Sequence, residues 1–126
     1  MTKQTIFTHD APKPPAYFSQ AVKSGGFVFV AGQGPFDPVT GQVVGTTIQQ
    51  QTAQSLRNVA AILAAAGTSL AKVVSATCIL AEEADFPGMN EEWLKWFPSD
   101  PPARQGAQLP VRPQNMKISI AVIAEA

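Results

Sequence analysis

The sequence predicts a two-layer α+β domain in which two helices pack on one face of a mixed β-sheet. Short β-rich runs bounded by glycine and proline alternate with helical stretches, in the order strand, strand, helix, strand, helix, strand, strand. The chain has 126 residues, which suffice for one hydrophobic core but not for two. We therefore treat residues 1–126 as a single domain.

The first strands are predicted ahead of the first helix. The run "KQTIFT" is β-rich and is ended by "HDAPKPPAY", whose prolines require extended or turn structure. The run "FVFVAG", residues 27–32, is enclosed by glycines and predicts a buried strand. The segment "DPVTGQVV" predicts a turn and then a second, shorter strand.

The first helix has the clearest sequence signals. Thr47 and Gln50 have the spacing of a capping box, in which each side chain bonds the other residue's backbone amide. Gly67 supplies a left-handed C-terminal stop. The apolar residues between these signals recur on one helical stripe, which predicts packing against a sheet. They are Ile48, Leu56, Val59, Leu63 and Ala66.

The segment "KVVSATCIL" alternates and predicts the next strand, with Val74, Ala76, Cys78 and Leu80 on one face. We interpret Cys78 as a packed core residue rather than a nucleophile, because no histidine has a reason to lie near it.

The segment "DFPGMNEEWLKWF" predicts the second helix, with Asp85 as its cap, Pro87 in its first turn and Pro98 beyond its end. An aromatic stripe runs along it. Such a stripe is more typical of a core or an interface than of a ligand platform. Its residues are Phe86, Met89, Trp93, Trp96 and Phe97.

The last two strands are predicted from "ARQGAQL" and "MKISIAVIAEA", joined by the turn-like "PVRPQN" as a hairpin. A turn centred near Arg112 would bring Gly106 opposite Ser119. Arg104 and Ser119 would then be diagonal neighbours on one face of the sheet.

The composition argues against several classes of function. Nine basic and nine acidic residues cancel, so we predict no nucleic-acid partner and no membrane-surface partner. The chain shows no signal peptide and no apolar stretch of membrane-spanning length, and one cysteine suits a reducing compartment, so we expect a cytoplasmic protein. The only histidine, His9, and the absence of paired cysteines predict no metal site.

Taken in order, several segments resemble the RidA (YjgF-type) family. They are "YFSQAV" after a proline-rich loop, "VAGQGPFDPVTGQVV", "QQTAQSLRNVAAILAAAGTSLAKVV", "DFPGMNEEW" and "PPARQGAQLP" before a last apolar strand. The resemblance covers essentially the whole chain. It implies a chorismate-mutase-like fold of the bacterial type and a homotrimer with three clefts between subunits. It also implies hydrolysis of enamines and imines to a keto acid and ammonia, without a cofactor.

In that family an arginine binds the substrate carboxylate and a glutamate on the last strand activates water, while a tyrosine and a cysteine line the pocket. The resemblance assigns the arginine to Arg104, a cleft backbone position to Gly32 and a helix asparagine to Asn90. Three positions depart from the pattern. The glutamate is Ser119, the cysteine is Gly106, and the tyrosine is Phe18, with Tyr17 beside it.

These departures decide how far the function can be predicted. Arg104 presents a planar fork that matches a carboxylate, although an interface ion pair is the alternative from the residue alone. Ser119 has no neighbouring base and cannot replace a carboxylate in general acid–base catalysis. We therefore expect weak or absent standard 2-imino acid deaminase activity. Because Ser119 is uncharged, we also expect a roomier, more positive cleft beside Arg104 that accepts a second negative group.

Three functions remain open from the sequence. The favoured one is a deaminase or related hydrolase acting on a small, reactive carboxylate. The alternatives are a non-catalytic trimer that binds keto or amino acids through Arg104, and an interaction protein in which the trimer surface matters more than its clefts.

Overall fold

The structure is a computed structural model that describes residues 2–126. It confirms the α+β class, with six strands in one mixed sheet and two helices. The strands are β1 (Gln4–Ile6), β2 (Ala21–Ser24), β3 (Phe27–Gln33), β4 (Val73–Leu80), β5 (Ala103–Gln108) and β6 (Ile118–Glu125). The helices are α1 (Ile48–Ala65) and α2 (Phe86–Trp96).

The strand order is β1-β2-β3-β6-β4-β5, with the last strand of the chain in the interior of the sheet. β6 is antiparallel to both β3 and β4, whereas β5 is parallel to β4 and lies at the edge. The predicted hairpin of β5 and β6 is therefore wrong, because β4 lies between them. β6 is largely buried whereas all of β5 is exposed, so the apolar strand occupies the interior and the polar strand the edge.

Helix α1 forms as predicted. The backbone N–H of Gln50 donates to Thr47 Oγ1 at 3.1 Å, and the Thr47 N–H donates to Gln50 Oε1 at 3.2 Å, which completes the capping box. Gly67 follows the helix with φ of 86°, the left-handed conformation expected of a stop. The predicted apolar stripe is buried in the main core, so α1 packs on the sheet through that face.

Helix α2 also forms, with Pro87 in its first turn and Phe97 as its C-terminal cap. Asp85 occupies the N-cap position but makes no side-chain capping bond. The aromatic stripe divides: Met89, Trp93 and Phe97 are buried in the core, whereas Phe86 is about half exposed. The stripe is thus partly core and partly surface.

The strands differ from the prediction in three places. The sequence did not predict β2, because its four residues are too few to show a pattern. Val74 is exposed and Val73 is buried, because a register shift between residues 73 and 75 interrupts the alternation of β4. The expected strand after "DPVTG" is a single bridge between Phe36 and Val43.

β3 is only alternately buried, with Phe27 and Phe29 exposed. These residues belong to the outer face, by which we mean the sheet face opposite the helices. Val22, Phe29, Ile123 and Ser75 lie side by side there on four neighbouring strands. None of them carries a charge. Glu125, the register partner of Phe27, lies on the same face, so the outer face is a mostly uncharged surface with two exposed phenylalanines.

No helix within residues 2–126 has both the length and the apolar character needed to cross a membrane.

Candidate functional site

A cavity of about 870 Å³ lies between the edge strand β5 and the start of α2. A parallel crossover through α2 joins β4 to β5, so the helix lies above the edge of the sheet and leaves a cleft beside β5. The cavity is lined by Cys78, Leu80, Ala81, Glu82, Glu83, Phe86, Pro87, Met89, Arg104, Gln105, Gly106, Ala107 and Gln108.

Arg104 is held in this cavity by three contacts from α2. Its Nη2 donates to Asn90 Oδ1 at 2.6 Å. Its guanidinium carbon lies 5.6 Å from the centre of the Phe86 ring and 5.1 Å from that of the Trp93 ring. Neither of the two ion pairs found within residues 2–126 includes Arg104. The guanidinium is thus oriented but keeps its charge available for an anion.

Cys78 and Gly106 lie side by side on β4 and β5 in the wall of the same cavity. A Cβ atom on Gly106 would lie 3.1 Å from the Cys78 carbonyl oxygen, so the wall is tight at this point. Burial raises the pKa of the Cys78 thiol to about 11, although the charge of Arg104 opposes that shift. Cys78 is therefore protonated near neutral pH, which supports its interpretation as a packed residue rather than a nucleophile.

Two carboxylates of the cavity were missed by the sequence reasoning. Glu82 Oε1 accepts a 2.9 Å hydrogen bond from Arg112 Nη1, and Arg112 Nη2 donates to the Ala81 carbonyl at 2.7 Å. Glu83 lines the cavity and has no ion-pair or hydrogen-bond partner within residues 2–126. The signal for them was the pair of glutamates directly after β4. They add two carboxylates to the cavity that contains Arg104.

A second, smaller pocket of about 190 Å³ contains other predicted site residues. Phe18 and Gly32 line it, together with the proline-rich loop. Ser119 is buried next to Gly32, and a Cβ atom on Gly32 would lie 2.8 Å from Ser119 Oγ. Tyr17 is almost fully exposed and contacts Phe18 edge to face, with 5.7 Å between ring centres.

Buried amides hold the loops of this second pocket, and the sequence reasoning missed them too. The Gln20 side chain donates to the Thr8 and Pro12 carbonyls at 3.0 Å and accepts from the Thr8 N–H at 2.7 Å. Asn58 on α1 donates to the carbonyls of Gly34 and Phe36 at 3.1 and 2.9 Å. The two side-chain amides thus supply hydrogen-bond partners for loop backbone groups that have no partner in a helix or strand.

The predicted site residues thus form two groups within one chain. Arg104 and Gly106 line the larger cavity, and Asn90 bonds Arg104 there. Phe18 and Gly32 line the smaller pocket, and Ser119 lies next to Gly32. Arg104 is in register with Ala76 on β4, whereas Ser119 is in register with Ile79. Because side chains alternate between faces, Arg104 lies on the helix side and Ser119 on the outer face. Their predicted contact on one face is wrong for a single chain.

Within residues 2–126 the structure shows no group of three or more side chains that could hold a metal ion.

Comparisons with known proteins identify the family of the chain. Residues 8–126 match the family described as Endoribonuclease L-PSP. The chain is 45% identical to a RutC family protein of Pyrococcus horikoshii, over 97% of each sequence. It is 39% identical to the chloroplastic Reactive Intermediate Deaminase A of Arabidopsis thaliana, over 97% of this chain and 65% of that one. It superposes on the crystal structure of E. coli TdcF with bound serine with a TM-score of 0.90 and 32% identity, over 98% of both chains.

The family match covers nearly the whole chain. The chain therefore belongs to the Endoribonuclease L-PSP family, which is the family of the RidA (YjgF-type) proteins.

Proposed function

We propose that this protein is a RidA-type hydrolase that releases ammonia from small enamines or imines bearing a carboxylate. The observation that carries the proposal is Arg104, oriented by Asn90 and two aromatic rings in a cavity where it has no carboxylate partner. A charged guanidinium held in this way is suited to bind a substrate carboxylate in two bonds.

The names of two relatives support the same class of ligand. The Arabidopsis protein is named a reactive intermediate deaminase, and TdcF was solved with serine, a small molecule with a carboxylate. The family description also names an endoribonuclease. The balanced charge of this chain gives no support to a nucleic-acid substrate.

We further propose that the active unit is a homotrimer of the chorismate-mutase-like type, with its sites between subunits. Two observations support this assembly. The mostly uncharged outer face exposes Phe27 and Phe29, which a second copy would cover. Arg104 and Ser119 lie on opposite faces of the sheet, so a site that contains both needs one of them from each of two copies.

The hydrolysis itself needs a water molecule delivered to the imine carbon and a proton supplied to the departing nitrogen. A positioned carboxylate contributes about 10²–10⁴-fold to such a step, and Ser119 cannot provide it. We therefore propose weak or absent activity on the simplest 2-imino acids. No cofactor is required, because water and proton transfer suffice.

One alternative is favoured by a specific observation, the serine at position 119. A trimer that binds keto acids, amino acids or other small carboxylates without turning them over would need Arg104 but no base.

Titration calorimetry with pyruvate on the wild type and Arg104→Ala tests the shared part of both proposals. The substitution removes a charge-assisted hydrogen-bonded pair, so we expect binding to become weaker by about 1.5–3 kcal/mol. Arg57→Ala on α1 removes a cation outside both pockets and is the matched control. Equal affinity in the wild type and Arg104→Ala would show that Arg104 is structural.

A further inference from the structure

The larger cavity carries charges of opposite sign that do not neutralise each other. Arg104 and Glu83 both line it, and neither takes part in an ion pair within residues 2–126. Glu82 is different, because Arg112 binds its carboxylate at 2.9 Å. One cation and one anion thus remain free to bind groups of a ligand.

The two free charges are attached at different ends of the cavity wall. Arg104 is in register with Ala76, and Gln108, four residues further along β5, is in register with Leu80. The Cα atoms of Arg104 and Gln108 are therefore about 13 Å apart at the usual rise of a strand. Glu83 follows the Leu80 end, in the short turn that leads into α2. A ligand that touches both charges has to extend along the cavity.

The wall of the cavity includes several apolar side chains. Leu80, Phe86, Pro87 and Met89 contribute to it, and Met89 is buried beneath the cavity. Such a surface favours a hydrocarbon chain over a polar one. It suits the methylene groups of a ligand that carries a charge at each end.

We propose that the cavity selects ligands with a carboxylate at one end and a cationic amine at the other, and that Glu83 determines this specificity by binding the amine. This inference rests on the proposed function, in which Arg104 binds the carboxylate. The substrate class is then an enamine or imine acid with a distal ammonium group. A second carboxylate is disfavoured, because it would approach Glu83.

Three ligands of matched length test the proposal in titration calorimetry: 5-aminopentanoate, pentanoate and glutarate. We expect the wild type to bind 5-aminopentanoate about two- to fivefold more tightly than pentanoate, the range of a partly exposed ion pair, and glutarate most weakly. In Glu83→Gln the two monocarboxylates should bind equally, with the affinity for pentanoate unchanged. In Glu83→Lys glutarate should bind most tightly.

Glu91→Gln is the matched control, since Glu91 is exposed on α2 outside the cavity, and it should keep the wild-type order of affinities. If Glu83→Gln keeps the wild-type order of affinities while binding still depends on Arg104, the proposed role of Glu83 is wrong and the proposed function stands. Binding that is equally strong in Arg104→Ala overturns the proposed function as well.

Discussion

Arg104 Nη2 donates a 2.6 Å hydrogen bond to Asn90 Oδ1 and so joins the edge strand of the sheet to α2. The acceptor is a neutral amide, so the bond orients the guanidinium without cancelling its charge. A carboxylate at position 90 would form an ion pair with Arg104 and compete with any anionic ligand. Asn90 is therefore the residue through which α2 keeps Arg104 both fixed and available.

This relationship predicts different effects for two substitutions at position 90. Asn90→Ala removes the orienting bond, and we expect the affinity for pyruvate to fall about threefold, which is the value of one ordinary hydrogen bond. Asn90→Asp adds a competing charge, and we expect a fall of about tenfold or more. Calorimetry on both variants measures the difference. Wild-type affinity in Asn90→Asp would show that the guanidinium does not bind the ligand.

The outer face predicts how the protein assembles. Light scattering should report a trimer for the wild type at micromolar concentration, and Phe29→Glu should yield monomers because it buries a charge in an interface. Val39→Glu is the control, since Val39 is exposed in a loop away from the sheet and the variant should remain a trimer. A monomeric wild type would contradict the proposed site between subunits.

The raised pKa of Cys78 predicts that chemical modification of its thiol depends on pH. Because burial raises its pKa to about 11, from an ordinary value of 9.0, the thiolate is scarce at pH 7.5. Iodoacetamide should therefore modify the folded protein far more slowly than the protein unfolded in urea, and the rate should rise as the pH approaches 11. Rapid modification of the folded protein at pH 7.5 would mean that the thiol is accessible and ionised.

The same pKa shift predicts a change in stability. Between about pH 9 and 11 the unfolded thiol loses its proton while the folded one keeps it, so the folded state is stabilised below pH 9 and loses that stabilisation as the pH rises. The loss is at most about 2–3 kcal/mol over this range. Urea unfolding at several pH values measures it. Cys78→Ala should remove this component of the pH dependence, and an unchanged profile in that variant would contradict it.

Ser119 predicts low activity on a simple substrate. The wild type should hydrolyse 2-iminopropanoate, generated in place by an amino-acid oxidase, little faster than buffer does. Ser119→Glu should gain measurable activity because it supplies a carboxylate, whereas the similarly sized Ser119→Gln should not. The gain should stay below that of a typical family member, because Phe18 and Gly106 also depart from the pattern. Robust wild-type turnover would show that another group activates water.

The elements that the sequence predicted well are those specified by neighbouring residues. The cap at Thr47, the stop at Gly67 and the stripe of α1 depend on contacts a few residues apart, and all three are present. The pairing of β5 and β6 failed because it depends on a distant strand. Nothing in residues 103–125 shows that β4 inserts between them, although the contrast between the polar β5 and the apolar β6 is consistent with an edge and an interior strand.

The candidate site was predicted in part for the same reason. Arg104 and Asn90 were both identified, and a hydrogen bond joins their side chains. Ser119 was predicted to be a neighbour of Arg104. The register of β5 and β6 on β4 instead places the two side chains on opposite faces of the sheet. Glu83 was not identified, because its place in the cavity follows from the turn between β4 and α2 rather than from any motif.

The interior position of β6 has a consequence for how this protein is made. The sheet joins its two parts, β1–β3 and β4–β5, only through residues 118–125 at the end of the chain. During synthesis those two parts have no common strand until β6 has left the ribosome, because every strand pairing between them passes through β6. The sheet can therefore close only after residues 118–125 have been synthesised and released. A nascent chain stalled before Ile118 should expose the unpaired edges of β3 and β4 and should be recognised by chaperones that bind such edges.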